Sequence, residues 1–130
     1  MIEFYLNDRS GVPTYLQLVQ QVEYALRLGY LKPGDQLPTV RAVVAQLAIN
    51  PNTVLKAYRE LEHRALAGGR PGQGTFVLRG LGGGDRSGQV RLRRGLERWL
   101  RGAYESGMDR EGIAALFATV LDHSVHEDVG

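Results

Sequence analysis

No cysteine occurs among the 130 residues, so disulfide frameworks, thiol nucleophiles and thiolate metal centres are excluded together. Long hydrophobic runs are missing too. The apolar stretches are short and interrupted, and the opening MIEFYLND has no basic segment followed by an apolar one. Neither a membrane span nor a secretion signal is expected, which leaves a cytoplasmic chain with no membrane partner. Phosphate loops are absent as well. Nine of the 17 glycines fall between residues 68 and 88, yet none builds a G-x-x-x-x-G-K-[ST] or G-x-G-x-x-G run between a strand and a helix. Ser10, Ser87, Ser106 and Ser124 lie in turn or helix-end contexts without a nucleophile elbow. His123 and His126 stand beside Asp122, Glu127 and Asp128, but without a second ligand cluster they read as a polar helix end. No catalytic residue, metal site or cofactor is expected, and the chain reads as no enzyme.

Net charge is scarce at +2, but its distribution is uneven. Residues 36–80 carry +4, residues 86–101 carry +5, and residues 102–130 carry −5. Blocks of opposite sign suggest a basic face for a polyanion and a separate acidic region. With 43% apolar and 23% charged residues the chain has a folded composition, and its length suits one compact core or a small domain plus an appendage, not two full domains.

The pattern divides the chain into residues 1–79, a glycine-rich linker at 80–88, and a helical hairpin at 89–130. Alternation of Ile2, Phe4 and Leu6 allows a short strand. A first helix is predicted from Pro13 to Gly29, with Tyr15, Leu18, Val19, Val22, Ala25 and Leu26 as its apolar stripe. Leu31 to Asp35 reads as a turn. Thr39 then caps a second helix whose buried face is Val40, Val43, Val44 and Leu47. After a tight break, Asn50 and Pro51 open a third helix that runs to about Arg64. Leu66–Arg70 and Gly74–Leu78 form a hairpin around Pro71-Gly72-Gln73, with a basic residue near its tip. The expected fold is mainly α with a small β wing: an N-terminal winged helix-turn-helix followed by a C-terminal two-helix dimerisation region.

The third helix offers the sharpest chemistry. At about 100° per residue, Asn52, Lys56, Arg59 and His63 fall within about 60° of arc, while Val54, Ala57, Tyr58, Leu61 and Ala65 lie opposite. The polar face is either an ordinary solvated surface or a set of donors for phosphates and base edges in a major groove. The preceding helix, the following wing and the +4 charge favour the second. In the C-terminal segment, Leu92, Leu96, Trp99 and Leu100, then Ile113, Leu116, Phe117 and Val120, form two apolar stripes. A helical hairpin cannot bury both alone, so these residues are expected to pack against the N-terminal domain, a second copy, or both. The arginines between Arg86 and Arg101 have two further readings, contacts to DNA phosphates or pairing with the acidic block across a dimer, besides plain solvated surface.

Four runs of residues carry a resemblance. Pro13-x-Tyr15-x-Gln17-Leu18 is followed by Gly29-x-Leu31-x-Pro33-Gly34-Asp35-x-Leu37-Pro38-Thr39-Val40-Arg41. Asn50-Pro51-Asn52-Thr53-Val54-x-Lys56-Ala57-Tyr58-x-Glu60-Leu61-Glu62 comes next, then Gly72-x-Gly74-Thr75-Phe76-Val77. Over about residues 2–79 the chain resembles the winged-helix domain of GntR-family bacterial transcriptional regulators, and the short helical remainder is similar to the YtrA subfamily. The resemblance implies DNA-contacting roles for Arg41, Asn52, Thr53 and Lys56, and wing roles for Arg70, Gly72, Gln73 and Gly74. Asn50, Pro51 and Arg59 complete the expected DNA-binding set. It also implies a homodimer that binds a palindromic operator as a repressor, with control of a transporter operon. A small-molecule effector is left a groove at the dimer interface or domain junction. A winged-helix protein-interaction module without sequence-specific DNA binding is the alternative. Two departures from the family pattern stand out: Ala65 where a helix-ending glycine is common, and Ala67-Gly68-Gly69 in place of a more apolar first wing strand.

Overall fold

Caps and apolar spacing fix the helices of the N-terminal half. A computed structural model describes residues 2–82 and 86–129, residues 125–129 by their backbone alone. Helix α1 (Thr14–Arg27) begins one residue after Pro13, which takes the cap position. Thr39 caps α2 (Val40–Leu47) by accepting from the Ala42 amide at 3.1 Å. Asn50 caps α3 (Pro51–His63) by accepting from the Asn52 amide at 2.8 Å, with Pro51 in the first turn where no N–H is needed. Strands β1 (Ala67–Arg70) and β2 (Gly74–Val77) pair antiparallel, Ala67 opposite Val77 and Arg70 opposite Gly74. Among the described residues, α4 (Arg86–Glu105) and α5 (Arg110–Val129) complete the mainly α fold with a small β wing that the sequence leads one to expect.

The chain divides into two units, Met1–Gly84 and Asp85–Gly130. In the first, one face of each helix is dry. Leu18, Val19, Val22 and Leu26 of α1 join Val43 of α2, Val54, Ala57 and Leu61 of α3, and Val77 of β2 in a single cluster. Burial of such side chains contributes about 1.5–3 kcal/mol each, which is what holds three short helices in register.

Two local expectations are corrected. Residues 2–6 form no strand, because no second strand lies beside them. Instead the buried amides of Gln17 and Gln21 serve their backbone: Gln21 accepts from the Tyr5 amide at 3.0 Å and donates to the Tyr5 carbonyl at 2.7 Å, and Gln17 accepts from the Asn7 amide at 2.8 Å. Phe4 is buried all the same. Ala65 leaves the core face of α3 and is exposed at φ +59°, since the helix ends at His63 and the chain reverses there.

The stretch before α2 is also more than a turn. Gly34 donates to the Val77 carbonyl, Val77 to the Asp35 carbonyl, and Leu37 to the Thr75 carbonyl, each at 2.8 Å. Residues 34–37 thus lie along β2 as a third, short partner of the wing.

In the second unit, α4 and α5 are joined by a turn in which Asp109 caps α5 through the Gly112 amide at 2.8 Å. Helix α4 takes in Arg86 to Gly88 of the expected linker; one glycine lowers helix propensity by about 1 kcal/mol but does not stop a helix. Gly83, Gly84 and Asp85 of that linker lie outside the described residues. Among the described residues, no helix is long and apolar enough to cross a membrane.

Candidate nucleic-acid interface

Helix α3 separates its two faces cleanly. Val54, Ala57 and Leu61 are fully buried and Tyr58 nearly so. Asn50, Pro51, Asn52, Lys56, Arg59 and His63 are exposed, and Thr53 is half-buried beside them. Spacing alone sets this split, since residues three and four apart share a side of the helix. Arg41, on the first turn of α2, is exposed as well.

The six cations of the wing-and-helix segment fall into two groups. Arg64 is occupied: it donates to Glu60 at 2.9 Å and also pairs with Glu23, and these carboxylates raise its pKa. Arg79 is occupied too, donating to the carbonyls of Arg64 at 3.0 Å and Ala65 at 3.2 Å. Together they lace the end of α3 to α1 and to the chain leaving the wing. By contrast Arg41 and Arg59 have no ion pair among the described residues. Lys56 and Arg70 rest, among the described residues, on aromatic rings. The Lys56 ammonium lies 4.2 Å from the centre of the Tyr15 ring, and the Arg70 guanidinium lies 4.1 Å from that of Phe76. A ring face steers a cation while leaving its N–H donors open to another acceptor.

Geometry at the wing tip follows from two residues. Gln73 donates to the Arg70 carbonyl at 2.9 Å across Pro71-Gly72, and Gly72 at φ +74° supplies the left-handed conformation that this turn requires at its third position. The tip is exposed from Pro71 to Gln73, whereas Gly74 is half-buried. The residues from Gly69 to Thr75 and Thr39 line an open cleft of about 650 Å³. The wing therefore faces the capping residue of the helix that carries Arg41.

Tyr15, Gln36 and Phe76 are the residues that sequence reasoning left out of this surface. Tyr15 was visible as part of the apolar stripe of the first helix and Phe76 as part of the wing motif, and nothing in the local pattern linked either ring to a cation.

The helical hairpin of the second unit has its own surface. Trp99 and Phe117 pack ring to ring, centroids 5.0 Å apart and tilted by 58°. Leu96, Trp99, Leu116, Phe117 and Val120 line an open apolar groove of about 300 Å³. Leu92 at 75% exposure and Val120 at 55% are the barest of the expected interface residues. Ile113 departs from that set. It is 5% exposed, and Leu100 is half-buried. Arg93 of the basic helix pairs with Glu97 at 3.1 Å. His123 is exposed, and the His126 side chain lies outside the described residues.

Residues 14–77 match the family described as bacterial regulatory proteins, gntR family. The chain is 42% identical over 72 residues to the HTH-type transcriptional repressor YtrA of Bacillus subtilis, a match covering 55% of each protein. The matched stretch is thus little more than half the length of such curated relatives. A solved transcriptional regulator from Oenococcus oeni is 35% identical, with 89% of this chain and 97% of that one aligned at a TM-score of 0.51. YtrA from Sulfolobus acidocaldarius, a GntR-family transcription factor, is 26% identical, with 94% and 97% aligned at a TM-score of 0.52. These relatives are named regulators rather than enzymes.

Proposed function

The chain belongs to the GntR family of bacterial regulatory proteins, among its YtrA-like members, and on that premise we propose that it is a cytoplasmic repressor binding a palindromic operator as a homodimer. One observation carries the reading. Of the six cations in the winged segment, Arg64 and Arg79 are engaged by carboxylates or carbonyls of the fold, whereas among the described residues Arg41 and Arg59 have no ion pair, and Lys56 and Arg70 rest on ring faces that leave their N–H donors open. In this reading α3 enters the major groove. The Asn52 amide reads a base edge, Lys56 and Arg59 meet the groove and its phosphates, and Thr53 and Arg41 hold backbone phosphates. The wing, with Arg70, Gly72, Gln73 and Gly74, lies on the flanking minor groove or backbone. Two copies joined through the open groove of α4 and α5 would address half-sites about 34 Å apart or slightly more. The resemblance to YtrA-type regulators extends the proposal to a neighbouring transporter operon as target.

A duplex selected by the wild-type chain from a random pool supplies the probe. Arg41→Ala and Lys56→Ala should each weaken binding and lower the salt slope by about 1 for every phosphate no longer neutralised. Unchanged affinity and slope in both variants would overturn the docking. Genome-wide footprinting tests the operon.

A further inference from the structure

The wing is aimed by a residue outside it. We propose that Gln36 is a positioning residue for DNA recognition, holding the wing tip through the backbone of Gln73 so that Arg70 is presented at a fixed angle. This rests on the operator-binding reading above. Three observations converge on it.

The backbone on either side of Gln36 is anchored to β2, through the Asp35 carbonyl to Val77 and the Leu37 amide to Thr75. Gln36 itself sits opposite Phe76 as a bridge partner. Its side chain is therefore launched from a fixed point, not from a loose loop. From there its amide nitrogen donates to the carbonyl of Gln73 at 2.9 Å, across 37 positions of sequence. Gln73 closes the tip by donating to the Arg70 carbonyl, so the bond reaches the base of the residue that carries the charge.

The second observation is the space left for that side chain. Gly74 sits at φ +124°, and a Cβ there would fall 2.6 Å from the Gln36 amide nitrogen. A glycine at 74 is what lets the amide pass to the tip. The third is that Phe76, the bridge partner of Gln36, is also the ring beneath the Arg70 guanidinium. One side chain thus fixes the tip, and its backbone partner fixes the cation.

Residues 34–37 steady β2 only as far as Thr75, and beyond that point a tip reached through Gly68 and Gly69 of β1 has little stiffness of its own. Without the brace the tip would sample many orientations, and each binding event would have to order it again.

The test uses the full chain and a duplex that the wild-type protein selects from a random pool. Gln36→Met keeps length and neutrality but removes the donor. It should weaken binding by about fivefold, the worth of one hydrogen bond, while Arg70→Ala weakens it by more. The double variant should bind no more weakly than Arg70→Ala alone, because both losses act through the same tip. Hydroxyl-radical footprints of Gln36→Met should lose protection at the flanks and keep it at the centre of each half-site. Wild-type affinity in Gln36→Met, or effects that multiply in the double variant, would overturn the positioning role while leaving the Lys56→Ala defect intact. If Lys56→Ala and Arg41→Ala are also silent, the operator reading fails and this proposal with it.

Discussion

The phenol of Tyr58 donates a hydrogen bond to the carbonyl oxygen of Pro38, one residue before the cap of α2. The bond joins the core face of α3 to the entry of the helix that carries Arg41. It sets how the first turn of α2 meets α3, the two elements that the proposed docking brings to one duplex. Tyr58 is 4% exposed, so its hydroxyl has no water to turn to.

Tyr58→Phe should therefore leave the Pro38 carbonyl unsatisfied and cost about 1–3 kcal/mol in urea unfolding at neutral pH. Burial raises the phenol above its ordinary value of 10.0, so the folded state favours the protonated form. Stability from this group is complete below that ordinary value and is lost as pH climbs toward the raised one. The gap between wild type and Tyr58→Phe should thus narrow above about pH 10. A gap that stays constant from neutral to alkaline pH would show that the phenol is not coupled to folding.

Tyr15 supplies the ring against which Lys56 rests, and that pairing has a separable effect. Tyr15→Leu keeps an apolar side chain but removes the π face. An interaction of this kind at an exposed site is worth about 0.5–1 kcal/mol, so affinity for a selected duplex should fall by roughly two- to fivefold. Tyr15→Phe should bind as the wild type does. If Phe fails as badly as Leu, the hydroxyl and not the ring is what the complex uses.

Spacing and caps carry information about burial and helix ends, and those features were legible. The buried stripes of α1 and α3 and the caps at Thr39 and Asn50 could be read directly, whereas of the expected face of α2 only Val43 is buried and Val40, Val44 and Leu47 are half-buried against the core. The alternation of Ile2, Phe4 and Leu6 misled because a period of two reports which side is buried, not what pairs with the backbone. Here Gln17 and Gln21 pair with it, from ten and sixteen positions away. The brace from Gln36 to Gln73 escaped for the same reason. The outward face of α3 was legible as a surface. What no periodicity could separate was Arg64, tied to Glu60 and Glu23, from Arg59, which is not.

Ala65 holds a left-handed conformation at φ +59°, which strains any residue with a Cβ. Ala65→Gly should stabilise the winged unit by about 1 kcal/mol, measured as a raised urea midpoint with an unchanged slope. The residue is exposed, so no packing is sacrificed. Operator affinity should not change. A destabilised Ala65→Gly would mean that unfolded-chain entropy outweighs the strain at this turn.

The two-helix unit poses a sharper problem of burial. Among the described residues of α4 and α5 only Ala103 and Ile113 are buried, while Leu96, Trp99, Leu116 and Phe117 are each 38–43% exposed along one groove. In the proposed dimer a second copy covers that groove with an identical apolar face, which would give these two twenty-residue helices the dry surface they otherwise have little of. Trp99→Asp with Leu116→Asp places two carboxylates where that partner would sit, at positions exposed enough for a single chain to tolerate them. Sedimentation should show a dimer for wild type and a monomer for the double variant. Its winged unit should stay folded, since neither site belongs to that core. Operator affinity should then drop steeply, because two half-sites bound independently forgo the advantage of a tethered second binding event. A double variant that still sediments as a dimer would move the interface off this groove; one that turns monomeric yet keeps full affinity would remove the dimer from the mechanism.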